Sequence, residues 1–364
     1  MHFFNILPES KYETFSLSGK LQEASEVKYS LLKNQEVDAG TGYPTVQSFS
    51  SKFPSEDQKN IWIARDIGAF EYYNLETNEI SEKVIFPFAE DRKIKAVFEH
   101  KDQILAVSDH GEVALWNTES EEAVITELKG LAVESVAKKD NILAVGGKGL
   151  KNNLQLWDLD KLTAPQVVAK QTQNTRLNMP YPVDVRGIAF SQNDRSDVVV
   201  TCNADGQLWL YDFKVKKTPI IDRQVQPKKT AIASVHATPR DDCVIYTTPD
   251  GVVEAYDMRT GRSLGRYGPH EGAITDLLIT SGLPSGQGKL LITCCKDRFV
   301  RIFDYSTRAM LGKVYVKHVP NAVFLTGQSW LEMLAKEYAD SEEEEFWEEM
   351  VEVPDQKKSK IETE

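Results

Sequence analysis

The sequence predicts an all-β fold, a seven-bladed β-propeller with a composite closing blade, followed by an acidic C-terminal tail. Two observations carry this prediction. A strand-rich signature recurs at the spacing of a four-stranded blade, and strand-like segments without a repeat of their own remain at both ends of the chain. With 364 residues, of which 41% are hydrophobic, the chain is long enough to bury the apolar faces of that many sheets.

The repeated signature is a short β-rich run that ends in an aromatic residue followed by Asp or Asn. Successive aromatic residues are 43, 41, 54, 45 and 47 positions apart, which matches the roughly 40–45 residues of a propeller blade except at one expanded interval. The run occurs six times, as AFEYYN with Tyr73, EVALWN with Trp116, LQLWD with Trp157, QLWLYD with Tyr211, VVEAYD with Tyr256 and FVRIFD with Phe303.

Each repeat has room for four strands. In the fourth repeat, β-branched or alternating segments lie between turn residues, which predicts strand and turn in alternation. The predicted strands are 185–191, 197–203, 207–213 and 220–225.

An Asp precedes the aromatic residue by six positions in three repeats, at Asp205, Asp250 and Asp297. The first two are followed by Gly, a pair typical of tight turns because glycine tolerates positive φ. We therefore place these residues at the turn between the second and third strands of a blade. There the carboxylate is expected to accept hydrogen bonds from backbone N–H groups.

The two ends of the chain supply one further blade. Strands from both ends would close the ring and remove open edges that otherwise pair with other chains. The segment 310–317 completes the blade of the sixth repeat, and the strand-like segments that remain are 2–7, 12–17 and 27–32 at the start and 321–326 at the end.

These segments set the predicted domain boundaries. Residues 1–326 form the propeller, in which 1–32 and 318–326 make the composite blade. Residues 327–364 form an acidic tail, partly helical or disordered, that carries a linear docking motif. The tail holds 13 Asp and Glu and 4 Lys, which gives it a net charge of −9 out of −12 for the whole chain.

The remaining body of the chain is nearly neutral, which argues against RNA binding through bulk charge, since that mode needs many clustered cations. Any RNA contact is expected to be local. The best basic patch for RNA or a protein partner consists of Lys214, Lys216, Lys217, Arg223, Lys228 and Lys229. Its alternative interpretation is a solvated strand edge whose lysines prevent edge pairing.

The sequence contains no recognisable catalytic or metal-binding motif. The histidines lack HExxH spacing, no GxSxG run occurs, and the glycine-dense loop 146–149 lacks the GxxxxGK[ST] pattern of a phosphate site. The four cysteines lie in strand-like runs without CxxC spacing, which indicates a reducing compartment. No apolar run approaches the roughly 18 residues of a membrane span. We expect no enzyme activity, cofactor, metal, membrane association or small-molecule substrate.

The repeat resembles that of WD-repeat (WD40-type) propellers, because the Trp-Asp pair is intact at Trp157-Asp158. In such repeats a His before the blade, a Ser or Thr on its second strand, the turn Asp and the aromatic residue form a hydrogen-bonded chain. The resemblance assigns these structural roles to His270, Thr293, Asp297 and Phe303, with Asp297 as a partner of His270. The last link is absent because Phe303 has no N–H group.

Three segments resemble a narrower family, the nucleolar WD-repeat ribosome-assembly factors of the Nop-seven-associated type. They are 169–190, 296–325 and the tail motif EEEFWEEM at 343–350. The N-terminal blades are less similar, and the family's Lys-rich C-terminal end is reduced here to Lys357, Lys358 and Lys360.

This resemblance implies a non-catalytic scaffold in large (60S) ribosomal subunit biogenesis and rRNA processing. Such a protein would lie in the nucleus and nucleolus and bind other ribosome-assembly proteins and pre-rRNA on the large-subunit precursor. An AAA-type ATPase would release it. The alternative function is a substrate receptor of a ubiquitin ligase, because Tyr256-Asp257-Met258-Arg259 resembles an adaptor-docking WDxR box. An enzymatic propeller acting on a ligand in the central channel is a third, weaker candidate.

The expanded interval is predicted to be a partner-docking loop. Prolines stiffen it, and it holds apolar side chains that a free loop would avoid exposing. Its predicted docking residues are Asn174, Arg176, Leu177, Met179, Pro180, Tyr181 and Pro182. The alternative is that its apolar side chains form a small core of their own against blades three and four.

The tail is predicted to carry a second docking element. Phe346, Trp347 and Met350 would fill an apolar pocket on a partner, while the neighbouring glutamates face basic residues around that pocket. The alternative is a tail that stays disordered.

Overall fold

In a computed structural model, the chain forms β-strands arranged in four-stranded sheets. The structure describes residues 2–6, 12–16, 28–32, 46–49, 60–65, 69–74, 79–85, 92–101, 103–117, 123–128, 130–149, 152–170, 183–191, 195–227, 230–240, 242–280, 289–316 and 319–325. These residues contain seven such sheets.

Six sheets are each built from four consecutive antiparallel strands, and we number them blades one to six in chain order. Blade one contains β4 (Val46–Phe49), β5 (Asn60–Arg65), β6 (Ala69–Asn74) and β7 (Glu79–Ile85). Blade two contains β8 (Ile94–His100), β9 (Gln103–Ser108), β10 (Glu112–Asn117) and β11 (Ala123–Glu127). Blade three contains β12 (Ser135–Lys139), β13 (Ile142–Gly146), β14 (Gln155–Asp158) and β15 (Val167–Val168).

The second half of the chain repeats this organisation. Blade four contains β16 (Val185–Phe190), β17 (Val198–Asn203), β18 (Gln207–Asp212) and β19 (Ile221–Gln224). Blade five contains β20 (Ser234–Ala237), β21 (Cys243–Thr247), β22 (Val253–Asp257) and β23 (Arg262–Tyr267). Blade six contains β24 (Ile274–Ile279), β25 (Leu290–Cys295), β26 (Phe299–Asp304) and β27 (Met310–Tyr315).

The seventh sheet combines the two ends of the chain. Its strand order is β28-β1-β2-β3, and β28 pairs antiparallel with β1 from Phe3 opposite Leu325 to Ile6 opposite Ala322. That seven blades close into one ring stays a prediction. The strands are β1 (His2–Ile6), β2 (Tyr12–Ser16), β3 (Lys28–Leu32) and β28 (Ala322–Leu325).

The first strands of neighbouring sheets contact one another: β4 with β8, β8 with β12, β12 with β16, β16 with β20, and β24 with β28. The core lies between the blades. Phe303, for example, packs with Ile245 of blade five and Leu291 of its own blade, and all three are fully buried. Removing such a ring would cost about 3–5 kcal/mol in the free energy of unfolding.

The repeated aromatic–Asp pair has a structural explanation. The aromatic rings of Trp116, Trp157, Tyr211, Tyr256 and Phe303 are buried, whereas the Asp that follows begins the next turn. Asp212 Oδ1 accepts a hydrogen bond from Lys214 N at 3.1 Å, and Asp304 Oδ1 accepts one from Ser306 N at 2.8 Å. Each pair therefore joins a core side chain to a side chain that caps the turn.

The predicted strands of blade four match the observed ones to within one residue at each end. The differences fall where turn residues begin. No helix in the described part of the chain is long and apolar enough to cross a bilayer. Over the same residues, no group of three or more His, Cys, Asp and Glu side chains is placed to hold a metal ion.

Candidate partner interface at blade six

Four blades share one backbone turn between their second and third strands. The N–H of the fourth residue donates to the carbonyl of the first, at 3.2 Å from Gly111 to Ser108 and 3.1 Å from Arg298 to Cys295. The fourth residue has positive φ in every case. It is Gly111 (80°), Gly206 (75°) and Gly251 (88°) in blades two, four and five, and Arg298 (67°) in blade six.

A side chain at the first position closes this turn in blades four and five. Asn203 Oδ1 accepts from Gln207 N at 2.9 Å, and Thr248 Oγ1 accepts from Val252 N at 3.2 Å. The prediction that the carboxylates of Asp205 and Asp250 do this is therefore wrong. Asn and Thr reach the same N–H group from the end of the preceding strand.

Blade six closes the turn differently. Its first position is Cys295, whose Sγ contacts Gly272 O at 3.3 Å and does not close the turn. The acceptor in this turn is Asp297 Oδ1, which lies 3.0 Å from Phe299 N. Here the predicted role of the turn Asp agrees with the geometry.

Asp297 also forms a buried ion pair. Its Oδ2 lies 2.6 Å from Arg301 Nη2, and the two side chains are 8% and 3% exposed. Glu271 N donates to the same oxygen at 3.2 Å. Burial opposes ionisation of Asp297, but the hydrogen bonds from Arg301 outweigh it, and the pKa of the carboxyl lies well below its usual range. The carboxyl of Asp297 is therefore ionised at physiological pH.

His270 has one of its two predicted partners. Its Nε2 lies 3.0 Å from Thr293 Oγ1, whereas Nδ1 is buried with no hydrogen-bond partner among the described residues. The expected bond to Asp297 does not form, because Arg301 occupies that carboxylate. Burial, assisted by the charge of Arg301, lowers the pKa of His270 to about 4. The imidazole is therefore neutral and structural.

Around this turn lies a basic and aromatic surface, which we call the blade-six surface: Lys296, Arg298, Phe299, Lys313 and Tyr315. The three cations are exposed, and Tyr315 is 56% exposed. Phe299 and Tyr315 face each other across β26 and β27 with ring centroids 5.3 Å apart. All five residues lie in segment 296–325, which the family resemblance includes, but the sequence predicts no binding role for them. Its signal is the Asp-Arg pair of blade six in place of the Asp-Gly pair of blades four and five.

The predicted basic patch on blade four is only partly free. Lys214 Nζ lies 3.3 Å from Asp197 Oδ1, and Arg223 donates to Met258 O at 3.1 Å and so connects blade four to blade five. Lys216 and Lys217 are exposed on the turn after β18. Lys228 and Lys229 lie outside the described residues.

The two predicted docking segments also lie outside the described residues. On either side of the loop, Lys170 N donates to Lys217 O and Gly149 N donates to Val183 O, both at 2.8 Å. The loop is thus fixed at both ends to blades three and four. The residues concerned are Asn174, Arg176, Leu177, Met179, Pro180, Tyr181 and Pro182 in the loop and Phe346, Trp347 and Met350 in the tail.

Two further places bear on the alternative functions. In the WDxR-like box, Tyr256, Asp257 and Met258 are buried, which leaves Arg259 exposed beside Asp242, 3.6 Å away. A cavity of about 510 Å³ is lined by the first strands of blades three to six. At this cavity the ammonium of Lys139 already has a hydrogen-bond partner, because it donates to Ser191 O at 2.7 Å.

Comparison with known proteins places this fold. The sequence profile described as "WD domain, G-beta repeat" matches residues 261–304, which include the turn and the ion pair of blade six. The crystal structure of the computationally designed Ika8 protein superimposes with a TM-score of 0.59 over 90% of this chain and 86% of that chain. At 16% sequence identity this likeness concerns the fold alone. The four-stranded sheets and these comparisons are consistent with a WD40-type β-propeller fold.

Sequence relatives narrow the class further. WD repeat-containing protein DDB_G0290555 of Dictyostelium discoideum is 28% identical over 62% of this chain and 40% of its own length. WD repeat-containing protein 74 of Bos taurus is 27% identical over 62% and 58%. Ribosome biogenesis protein NSA1 of Meyerozyma guilliermondii is 26% identical over 64% and 66%. The chain thus matches about half of the length of such relatives, and the predicted resemblance to WD-repeat ribosome-assembly factors is confirmed.

Proposed function

We propose that this protein is a non-catalytic scaffold in the biogenesis of the large (60S) ribosomal subunit and in rRNA processing. It would act in the nucleolus, where it binds other assembly factors and pre-rRNA on the large-subunit precursor. An AAA-type ATPase would then release it. The observation that carries this proposal is the similarity to a protein named for ribosome biogenesis on a fold that presents many loops at two faces.

The chemistry of the described residues supports a scaffold. Two groups with strongly shifted pKa values, Asp297 and His270, are bound to Arg301 and Thr293 inside blade six. Structural ion pairs and burial also shift pKa values, so these shifts fit a structural role.

A gradient experiment tests the proposal. The tagged full-length chain, expressed at its natural level, is expected to co-sediment with large-subunit precursors, and its depletion is expected to delay large-subunit rRNA processing. Recovery at the top of the gradient together with a cullin and its adaptor would instead favour the ubiquitin-ligase receptor. An Arg259→Ala variant separates the two functions, because only adaptor binding requires that exposed guanidinium.

The loop between blades three and four is part of the proposal as a docking element. Replacement of Arg176, Leu177 and Tyr181 by Ala is expected to weaken association with the precursor and leave the melting temperature nearly unchanged. A matched control replaces Thr163, Ala164 and Pro165 by Gly in the shorter turn of blade three. Lower stability of the loop variant with normal association would show that the loop packs on its own blades.

The tail is the second proposed docking element. The double change Phe346→Ala/Trp347→Ala is expected to remove tail-dependent retention on purified precursors at low and high salt. Changing Glu343, Glu344, Glu348 and Glu349 to Gln should matter mainly at low salt, because screening removes long-range attraction. Retention of both variants at the level of the unaltered chain would mean that the tail has no binding role.

A further inference from the structure

Arg298 holds a backbone conformation that the other blades reserve for glycine. Its φ is 67°, whereas Gly206 and Gly251 occupy the same turn position at 75° and 88°. The left-handed region is unfavourable for residues with a Cβ atom. Non-glycine residues held in such regions are concentrated at functional sites, so the conformation directs attention to the side chain.

The neighbouring turns have no space for a side chain at this position. A Cβ atom on Gly251 would lie 2.5 Å from Gly272 O, and one on Gly206 would lie 2.8 Å from Thr230 O. Arg298 is exposed, so its side chain is not enclosed at this position. Blade six is therefore the blade of these three that presents a cation at the tip of the turn.

An aromatic pair is fixed beside this cation. Val316 N donates to Arg298 O at 2.7 Å, which holds the end of β27 against the turn. The ring planes of Phe299 and Tyr315 lie 63° apart in an edge arrangement, and Lys313 Nζ lies 3.8 Å from the centroid of the Phe299 ring. Lys313 thus covers Phe299, and Tyr315 remains available to solvent.

The cations at the turn are unpaired. No hydrogen bond or ion pair within the described part of the chain engages the ammonium of Lys296 or the guanidinium of Arg298. The nearby carboxylate of Asp297 is taken by Arg301. Among the described residues around the turn, Glu271 is the exposed acidic residue, whereas Lys296, Arg298 and Lys313 are exposed cations.

We propose that the blade-six surface binds single-stranded RNA, with an unpaired base stacked on Tyr315 and phosphates bound by Arg298 and Lys296. Exposed aromatic rings flanked by cations are the elements with which proteins bind single strands without reading sequence. The inference rests on the proposed function and assigns a surface to its contact with pre-rRNA.

RNA fits this surface better than an acidic peptide does. A peptide gains most of its affinity by inserting an apolar anchor into a desolvated pocket. The exposed neighbours of Tyr315 described in the structure are charged, and its aromatic partner Phe299 is already covered by Lys313. A base needs only a flat ring and adjacent cations.

The test measures anisotropy of a labelled single-stranded RNA of roughly 12 nucleotides with the purified full chain over a range of salt concentrations. Tyr315→Ala is expected to weaken binding about tenfold at every salt concentration, and Tyr315→Phe should restore it. Arg298→Gly keeps the turn of blades four and five and removes one phosphate contact. It should lower the slope of log affinity against log salt by about 0.7.

The matched control is Lys161→Ser/Lys170→Ser, which removes two exposed cations, one on either side of β15. We expect the RNA affinity of the control to stay within about twofold of that of the unaltered chain. If the control lost as much affinity as Tyr315→Ala and Arg298→Gly do, the effect of those variants would be one of net charge alone. Unchanged affinity of both Tyr315→Ala and Arg298→Gly would overturn the proposal. Binding of a peptide of residues 339–352 that these variants abolish, without RNA binding, would replace RNA by an acidic partner.

Failure of this inference is distinguishable from failure of the proposed function. A chain that co-sediments with precursors but binds RNA independently of Tyr315 and Arg298 overturns the assigned surface alone. A chain that binds RNA through these residues but never enters precursors overturns the ribosomal role and leaves an RNA-binding propeller.

Discussion

Blades five and six have the same four-stranded sheet and the same turn between their second and third strands, yet different atoms hold the two turns. In blade five, Thr248 Oγ1 closes the turn and Gly251 has the positive φ. In blade six, Asp297 closes the turn and pairs with the buried Arg301, while Arg298 has the positive φ.

The difference teaches how a repeat can gain a binding surface without changing its backbone. Thr248 closes the turn of blade five with one hydroxyl, and the fourth position of that turn has no side chain because it is Gly251. Blade six uses a buried ion pair for the same purpose, and its glycine position is occupied by a cation. The first arrangement favours stability alone, and the second exposes charge at a fixed place.

Removing residues 1–18 is expected to have the largest effect and to separate the two blades. It takes away β1 and β2, on which β28 depends, and β28 is tied to blade six because Val323 N donates to Asp276 Oδ2 at 3.0 Å. The free energy of unfolding should fall by several kcal/mol. In hydrogen exchange, β24 should lose protection before β20. An unchanged melting temperature of a monomeric truncated chain would mean that the composite blade does not close the ring.

Asp297→Ala is expected to destabilise the protein by about 3 kcal/mol, because it leaves the buried charge of Arg301 without a partner and the Phe299 N–H without an acceptor. Asp250→Ala in blade five is the matched control and should cost less than about 0.5 kcal/mol, since Thr248 holds that turn. Urea unfolding of both variants measures the difference. Equal losses would mean that the two turns are held alike.

Gly251→Arg transfers the blade-six residue to blade five. We expect a loss of about 2 kcal/mol, because the new Cβ would meet Gly272 O at 2.5 Å in addition to the cost of the left-handed conformation. The melting temperatures of Gly251→Arg and Gly130→Arg measure the difference. Gly130 also has positive φ, but no atom of the described residues lies within 4 Å of its Cβ position. If the two substitutions cost the same, space is not what separates the blades.

The pH dependence of stability should carry the signature of His270. Burial holds its pKa at about 4 in the folded state, against 6.5 when it is free. The unfolded state therefore binds the proton more readily, so this contribution to stability is complete above pH 6.5 and declines as the pH falls towards 4. His270→Gln should lose less stability than the unaltered chain between neutral pH and about pH 5. A parallel decline would assign the effect to other groups.

Much of this organisation can be predicted from the sequence, for reasons that the structure makes clear. The aromatic–Asp anchors recur because a buried ring and a turn-capping carboxylate are both local requirements, as at Tyr211 and Asp212. The strand segments at the two ends follow from the alternation of apolar residues. Requirements of this kind involve adjacent residues and can therefore be predicted from the sequence.

The missing bond between His270 and Asp297 and the surroundings of Arg298 could not be predicted in the same way. Whether Asp297 bonds to His270 depends on Arg301, whose guanidinium competes for the carboxylate. The blade-six surface depends on the cross-strand register that places Tyr315 beside Phe299. Such choices between distant groups are decided in three dimensions.

Arg298→Gly tests the central claim, that blade six keeps a side chain at the expense of its own turn. We predict that this variant unfolds in urea with a free energy equal to that of the unaltered chain or higher by about 1 kcal/mol, while its affinity for single-stranded RNA falls. A marked loss of stability, or undiminished RNA affinity, would contradict the account, because Arg298 would then serve the fold or serve nothing at this surface.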